Sequence, residues 1–298
     1  MLPDNTSIKQ DLPIIDDNIE QLFPLAHTDY SLGINIGGIT CRINLPTAYL
    51  YESLCERYDQ FLSTTDNPDI EIQVQTVEDF NREKYTAVTF DFQENNHYGF
   101  RWDFYCRLTL DEKCTAYQFI PPKGHFFSVD SLVRISYSFV AAAKGGLLVH
   151  GAGIVDKGKG CLFAGKSESG KTTLSKISMP TKEVLTDEIS LIVRDRDTGD
   201  FFLHGTPFWG EMGHGVNNKA KLNNIFFLNK SQKVFLEKIA GHLKYSQLLK
   251  NILLFAKDPL LSKTIFNTVG LLADRLSFYE LHFMPDDSFW RCIDDNLE

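Results

Sequence analysis

The chain has no run of about 18 uninterrupted apolar residues, which leaves no candidate for a membrane-crossing helix. The nearest approach, 126–148, is interrupted by Asp130, Arg134 and Lys144. The opening Met1-Leu2-Pro3-Asp4 carries no basic cluster followed by an apolar stretch, so no secretory leader is expected. Lysines and arginines never gather into a block, and the formal net charge is −9, which argues against a nucleic-acid surface. Six cysteines (Cys41, Cys55, Cys106, Cys114, Cys161 and Cys292) make no C-x-x-C pair and no metal spacing. They read as small core hydrophobes in a reducing, cytoplasmic setting. No internal repeat or low-complexity stretch stands out. What remains is ordinary globular composition, 43% hydrophobic and 23% charged, in 298 residues. That length suits one or two domains with a sizeable core.

Against this background one stretch is specific. Gly165-Lys166-Ser167-Glu168-Ser169-Gly170-Lys171-Thr172 is a full match to G-x-x-x-x-G-K-[ST]. Glycines let the backbone fold tightly, so that successive N–H groups can face phosphate oxygens. Lys171 can reach terminal phosphates as a point charge, and the Thr172 hydroxyl can ligate Mg²⁺. The motif needs a strand before it and a helix after it. Cys161 to Ala164 reads as a short buried strand, and 172–177 as a short helix stopped by Pro180. The expected nucleotide contacts are therefore Gly165, Lys166, Ser167, Glu168, Ser169, Gly170, Lys171, Thr172 and Thr173, with ATP or GTP and Mg²⁺ as cofactors. Upstream, 146–155 reads as a strand and 156–160 as a turn, so a hairpin feeds the loop in place of a parallel crossover. Downstream, an apolar run ends in Asp187-Glu188, which with Thr172 is the candidate metal set.

His150-Gly151 before a hairpin, then the loop, then the acidic pair resembles the catalytic core of HPr serine kinase/phosphorylase, a fold shared with the ATP-dependent phosphoenolpyruvate carboxykinases. Gly205-Thr206-Pro207-Phe208-Trp209-Gly210-Glu211 resembles a loop of the broader HPr-kinase-related proteins. The resemblance covers 147–211 well and the later residues loosely. It implies that Asp187 helps hold the metal and takes the acceptor's hydroxyl proton, a role suited to a carboxylate beside Mg²⁺. It also places His150 near the metal and phosphates, so Asp187, Lys171 and His150 are the expected catalytic residues. Three departures stand beside it. Glu168 occupies a position that is usually glycine in the HPr enzymes, the acidic pair is Asp-Glu where theirs is Asp-Asp, and their HPr-engaging C-terminal segment has no counterpart. HPr is therefore not the expected substrate.

Before the loop, 1–28 reads as a polar arm. Residues 30–45 read as strand, Gly37-Gly38 turn and strand, and 49–62 as a helix. Stretches 69–75, 86–92, 99–105 and 114–120 read as an antiparallel meander, with His97, Arg101 and Asp103 on solvated faces. Pro121-Pro122-Lys123-Gly124 marks a boundary. A helix capped by Ser128 then runs to Lys144 and ends at Gly145-Gly146. After the acidic pair come a hairpin over 189–204, a strand at 223–228, helices over 238–257 and 260–276, a strand over 276–283 and a short acidic tail. Phe208 and Trp209 read as packing, and Lys219 and Lys221 as solvated.

The expected fold is α/β: a mainly antiparallel α+β region over 1–125, then a loop-bearing nucleotide domain of the HPr kinase/phosphoenolpyruvate carboxykinase type over 126–298. The expected function is phosphotransfer from ATP–Mg²⁺ to a hydroxyl of a protein or small molecule. One alternative is a catalytically weak or inactive nucleotide-binding scaffold, which Glu168 favours. The other is a carboxykinase-like enzyme. Partners are the nucleotide and an acceptor, without nucleic acid or membrane, and oligomeric state is open.

Overall fold

A computed structural model of the protein describes residues 29–297, apart from 77–88, 94–95, 102–103, 111–112, 122–123 and 254–258. The arm expected over 1–28 lies outside the described residues, as do the side chains of Arg101 and Asp103.

Strict alternation builds the first hairpin. In β1 (Tyr30–Ile36) and β2 (Ile39–Leu45) the inward residues Ile34, Ile36, Cys41 and Ile43 are fully buried. Gly37 and Gly38 turn the chain at φ 61 and 83, a region that favours glycine. Gly37 also has to be small, because a Cβ there would lie 2.6 Å from Leu191 Cδ2. Helix α1 (Ala48–Arg57) is capped by Thr47, whose hydroxyl accepts from Leu50 N, and it buries Leu50 and Leu54. The sheet is completed by β3 (Ile70–Thr76), β4 (Thr89–Gln93), β5 (Asn96–Arg101), β6 (Phe104–Leu110) and β7 (Cys114–Ile120), in the order β1-β2-β3-β7-β6-β5-β4.

The meander holds from β4 to β7, but β3 runs parallel to both β2 and β7. Helix α1 is the reason on the β2 side: a parallel neighbour needs a crossover connection, and α1 supplies it. The single strand read over 99–105 is divided between β5 and β6. His97 is not on a solvated face, for it is buried and stacks on Phe139 at 4.6 Å between ring centroids.

Helix α2 (Phe126–Ala143) starts three residues earlier in its cap than expected: His125, not Ser128, is the N-cap. Ser128 is buried inside the helix, and its carbonyl accepts from Gln118 Nε2 at 2.8 Å. The helix ends at Gly145, with φ 76. It is the one described helix long and apolar enough to cross a membrane, but 72% of it is buried inside the protein. It is apolar nearly all round because it lies between two sheets.

The second sheet contains β8 (Leu147–Asp156), β9 (Lys159–Ala164), β10 (Glu183–Thr186), β11 (Ile189–Arg194), β12 (Phe201–His204), β13 (Lys219–Lys230), β14 (Phe235–Ile239) and β15 (Ser277–Phe283). Its order is β10-β8-β11-β12-β13-β15-β14, and β9 pairs with both β8 and β13, which closes a ring of pairings through β11 and β12. The β8–β9 hairpin is antiparallel as expected, while β9, β13 and β15 run parallel. Helix α3 (Lys171–Ser178) follows β9 after the glycine loop. Where a helix was expected over 238–257, β14 ends the strand at Ile239, and only the short α4 (Leu243–Leu249) is helical among the described residues. Helix α5 (Pro259–Arg275) matches its expectation. One buried cluster joins Ile43 and Ile72 of the first sheet, Val129 and Val133 of α2, and Leu148 and Leu191 of the second. The Pro-Gly boundary is thus a break in the chain's pattern and not a gap in the packing.

The expected acidic tail is instead helix α6 (Ser288–Leu297), which buries Phe289, Trp290 and Ile293. Its charges line one side and its large apolar residues the other, so the side that docks is hidden in the overall composition. Trp290 meets Phe163 edge-on at 5.6 Å and donates from Nε1 to Ser178 Oγ at 2.8 Å, fixing the end of α3. Trp290→Ala is expected to cost about 3–5 kcal/mol in urea unfolding, since it opens a cavity and removes the donor to Ser178 Oγ, which keeps only its bond to Leu174 O.

His204, on β12, faces the first hairpin, where a Cβ on Gly37 would sit 3.4 Å from its Cγ. Burial, and then the charge of Lys219, lowers its pKa from 6.5 to about 4. Above pH 6.5 the ring is neutral in both folded and unfolded chains. As pH falls towards 4 the unfolded chain takes the proton first, so stability is lost across that window. Urea unfolding at pH 7 and pH 4.5 is expected to show His204→Asn losing less stability on acidification than wild type, by roughly 2 kcal/mol.

Candidate functional site

The carboxyl ends of β9 and β13 open onto a cleft of about 700 Å³, walled by the glycine loop, His150, Asp187, Glu188, Gly210, Lys230, Lys250 and Asn251. The loop leaves β9 at Ala164 and enters α3 at Lys171. Both motif glycines are sterically required. A Cβ on Gly165 would meet Ser169 Oγ at 2.4 Å, and Gly170 takes φ 102 with Phe283 Cζ 2.7 Å from its would-be Cβ. Gly170 is also the N-cap of α3, and no side chain caps that end. The first N–H groups of the helix are therefore left for a ligand, with the positive end of the helix dipole behind them. Ser169 Oγ is buried without a hydrogen-bond partner among the described residues. An anion of phosphate shape fits this donor set.

Glu168 adopts φ 65, left-handed backbone in which a non-glycine residue costs roughly 1–2 kcal/mol. Its side chain is exposed, as are those of Lys166 and Ser167, and all three line the cleft. Lys171 Nζ rests on the loop's own carbonyls, donating to Gly165 O at 2.9 Å and Lys166 O at 3.0 Å. Partial desolvation lowers its pKa, while Glu188 and Asp187 pull the other way. Thr173, the next residue of α3, also lines the cleft.

Asp187 is 1% exposed and has both oxygens engaged. Oδ1 accepts from Gly210 N at 2.8 Å; Oδ2 accepts from Thr172 Oγ1 at 3.2 Å and Met212 N at 3.3 Å. Thus the last residue of the motif meets the first of the acidic pair, as the sequence suggested. Glu188 turns to the cleft, half-buried, and its carboxylate has no hydrogen bond among the described residues. Thr172, Asp187 and Glu188 together present the hard oxygen ligands that suit Mg²⁺. His150 stands on β8 opposite Ile189 and lines the same cleft. Its pKa is lowered by partial desolvation first, then by Lys171 and Arg134, which keeps the imidazole neutral at pH 7.

The loop carrying Gly210 is fixed from behind. Phe208 is fully buried and meets Tyr137 edge-on at 6.0 Å, and Arg57 of α1 stacks its guanidinium on Trp209 at 3.8 Å. Phe208 is packing, as expected, whereas Trp209 is a platform for an arginine from the first half of the chain. Lys219 and Lys221 stay out of the cleft, over Phe202 and beside Asp200 respectively. Glu211 lines the mouth and pairs with Lys176 at 3.8 Å.

Sequence reasoning missed Lys230, Lys250 and Asn251, and it gave Gly210 no specific task. A Cβ on Gly210 would lie 2.9 Å from Glu188 Oε2 and 3.2 Å from Asp187 Oδ2. The glycine loop around it was the available signal; the two lysines carry no local motif.

In class, then, this is a mixed α/β protein of two mixed sheets, with a strand–glycine loop–helix unit facing a carboxylate pair. The chain belongs to the ScmC family, described as SynChlorMet cassette protein ScmC, whose sequence model matches residues 114–298. No curated protein matches it.

Gly210→Ala is expected to leave thermal unfolding within a few degrees of wild type, because Glu188 can swing away. Calorimetry with ATP and Mg²⁺ as probes is expected to show at least about tenfold weaker binding than wild type, since the added methyl also crowds Asp187 Oδ2, a candidate metal ligand, at 3.2 Å.

Proposed function

We propose that the cleft binds a nucleoside triphosphate, ATP or GTP, with Mg²⁺, and that the protein transfers the γ-phosphoryl group to a hydroxyl. This is the chemistry of the HPr-kinase-type enzymes that the sequence resembles. The observation that carries the reading is the 3.2 Å contact between Thr172 Oγ1 and Asp187 Oδ2 at the uncapped start of α3. It brings a metal-ligating hydroxyl and a carboxylate together where the phosphates would lie.

Thr172 and Asp187 would hold Mg²⁺, which when bound neutralises phosphate charge. Lys171 leaves the loop carbonyls to meet the terminal phosphates, and the loop amides hold the transferring group. Asp187, with both oxygens engaged, serves the metal. The proton of the incoming hydroxyl goes to Glu188, the carboxylate of the pair that faces the cleft with open oxygens. This moves the base role one residue from the position that the family resemblance implied.

A second reading, nucleotide binding without catalysis, is favoured by the strained Glu168 in the loop and by Lys171 folded back on it. Titration calorimetry of ATP and GTP with Mg²⁺ tests the common premise. Wild type is expected to bind one of them at micromolar Kd, and Lys171→Ala to lose about a hundredfold. Failure of wild type to bind either nucleotide sinks both readings. Binding without turnover of any hydroxyl compound or water leaves the second.

A further inference from the structure

We propose that Lys250, set beside His150 by the segment after α4, forms an anion subsite for the phosphoryl acceptor. The acceptor is therefore a hydroxyl compound that also bears a carboxylate or a phosphate. This rests on the phosphotransferase reading above.

The register shows how Lys250 reaches the cleft. Strand β9 follows the edge of β8 only as far as the pair Gly151 and Ala164, where the chain departs as the glycine loop. Strand β11 occupies the opposite edge from His150 back to Leu147. The vacated edge is taken over by 251–253: His150 N donates to Asn251 O at 2.7 Å, Val149 bridges Ile252, and Leu253 N donates to Leu148 O at 2.9 Å. Residues 250–251 thus stand directly beyond the point where the loop begins, although they are remote from it in sequence.

The backbone there is held while the ammonium is left free. Lys250 is the C-cap of α4 and its N–H donates to Leu248 O. Asn251 is buried, with Nδ2 donating to Gln247 O at 2.8 Å. Lys250 is exposed to the cleft and has neither ion pair nor hydrogen bond from its ammonium among the described residues. Lys144, Lys182 and Lys221 each meet a carboxylate, and Lys171 meets the loop carbonyls. Lys166 and Lys230 line the same cleft and are likewise unpaired among the described residues, but Lys250 is the one next to the segment bonded to His150.

In-line geometry says which ligand. Attacking and leaving oxygens lie on opposite sides of the transferred group. With the leaving phosphate cradled at the start of α3, the hydroxyl is left the part of the cleft lined by residues outside the loop, among them His150, Glu188 and Lys250. A hydroxyl alone offers weak, unselective contacts. A carboxylate or phosphate beside it gives Lys250 a charge-assisted partner that fixes the oxygen near Glu188.

The test is calorimetry on the whole chain saturated with Mg²⁺ and a hydrolysis-resistant ATP analogue, using D-glycerate, inorganic phosphate and glycerol as probes. Glycerate or phosphate is expected to bind at millimolar Kd or tighter and glycerol not at all. Lys250→Met should weaken the anion at least about tenfold, and Lys250→Arg should restore it, with the ATP analogue's affinity changed less than about twofold. An equal loss of the analogue in Lys250→Met would assign the lysine to the nucleotide's own phosphates and overturn the proposal. So would glycerol binding as glycerate does, or neither anion binding. If the analogue itself fails to bind wild type, the phosphotransferase reading falls. The anion titrations on the nucleotide-free protein then decide separately whether Lys250 holds an anion.

Discussion

A carboxylate at 1% exposure has to be met by donors, and the second half of this protein is arranged around meeting that of Asp187. Two backbone N–H groups come from the loop at Gly210 and Met212, and a hydroxyl comes from Thr172 at the start of α3. Two segments distant in sequence are therefore tied to one side chain at the end of β10. The glycine loop, the acidic pair and the 205–212 loop are one unit, and none can shift without orphaning a buried acceptor.

A second buried carboxylate carries that unit into the first half of the chain. Asp130 of α2 accepts from Tyr58 OH at 2.8 Å and from Arg134 Nη2 at 2.6 Å, and Arg57 lies at 3.4 Å. Burial, followed by the charge of Asp130, pushes the Tyr58 phenol's pKa well up, so it remains a donor. Arg57 then lays its guanidinium on Trp209, next to the residue whose N–H holds Asp187. A network of this kind, once assembled, is costly to break on one side, about 3–5 kcal/mol. Through it the first sheet has a physical connection to the cleft, carried by α2, which packs against both sheets.

The cleft combines lysines and carboxylates in a chain of net charge −9. Lys171 is bonded to the loop's own carbonyls, and Glu168 holds a backbone conformation that glycine would adopt without strain. On the function proposed above, Lys171 exchanges loop carbonyls for phosphates and Lys250 exchanges solvent for an anion.

Local rules were enough wherever a few adjacent residues settle the outcome. The first hairpin was legible from alternation and Gly37-Gly38, and the glycine loop from its glycines and Lys171-Thr172, whereas Asp187 was singled out by the family resemblance. Patterning misled where partners are remote. His97 is buried because Phe139 lies over it, the tail is helical because Phe163 and Ser178 receive Trp290, and β3 is parallel because α1 intervenes. Lys250 had no motif at all, since it reaches the cleft only through the hydrogen bonds of Asn251 and Leu253 to β8. The sequence by itself determined the chemistry of the loop, because backbone torsion and side-chain charge act over a few residues. Only the tertiary structure decided what faces that loop, because those groups are brought there by pairing between strands far apart in the chain.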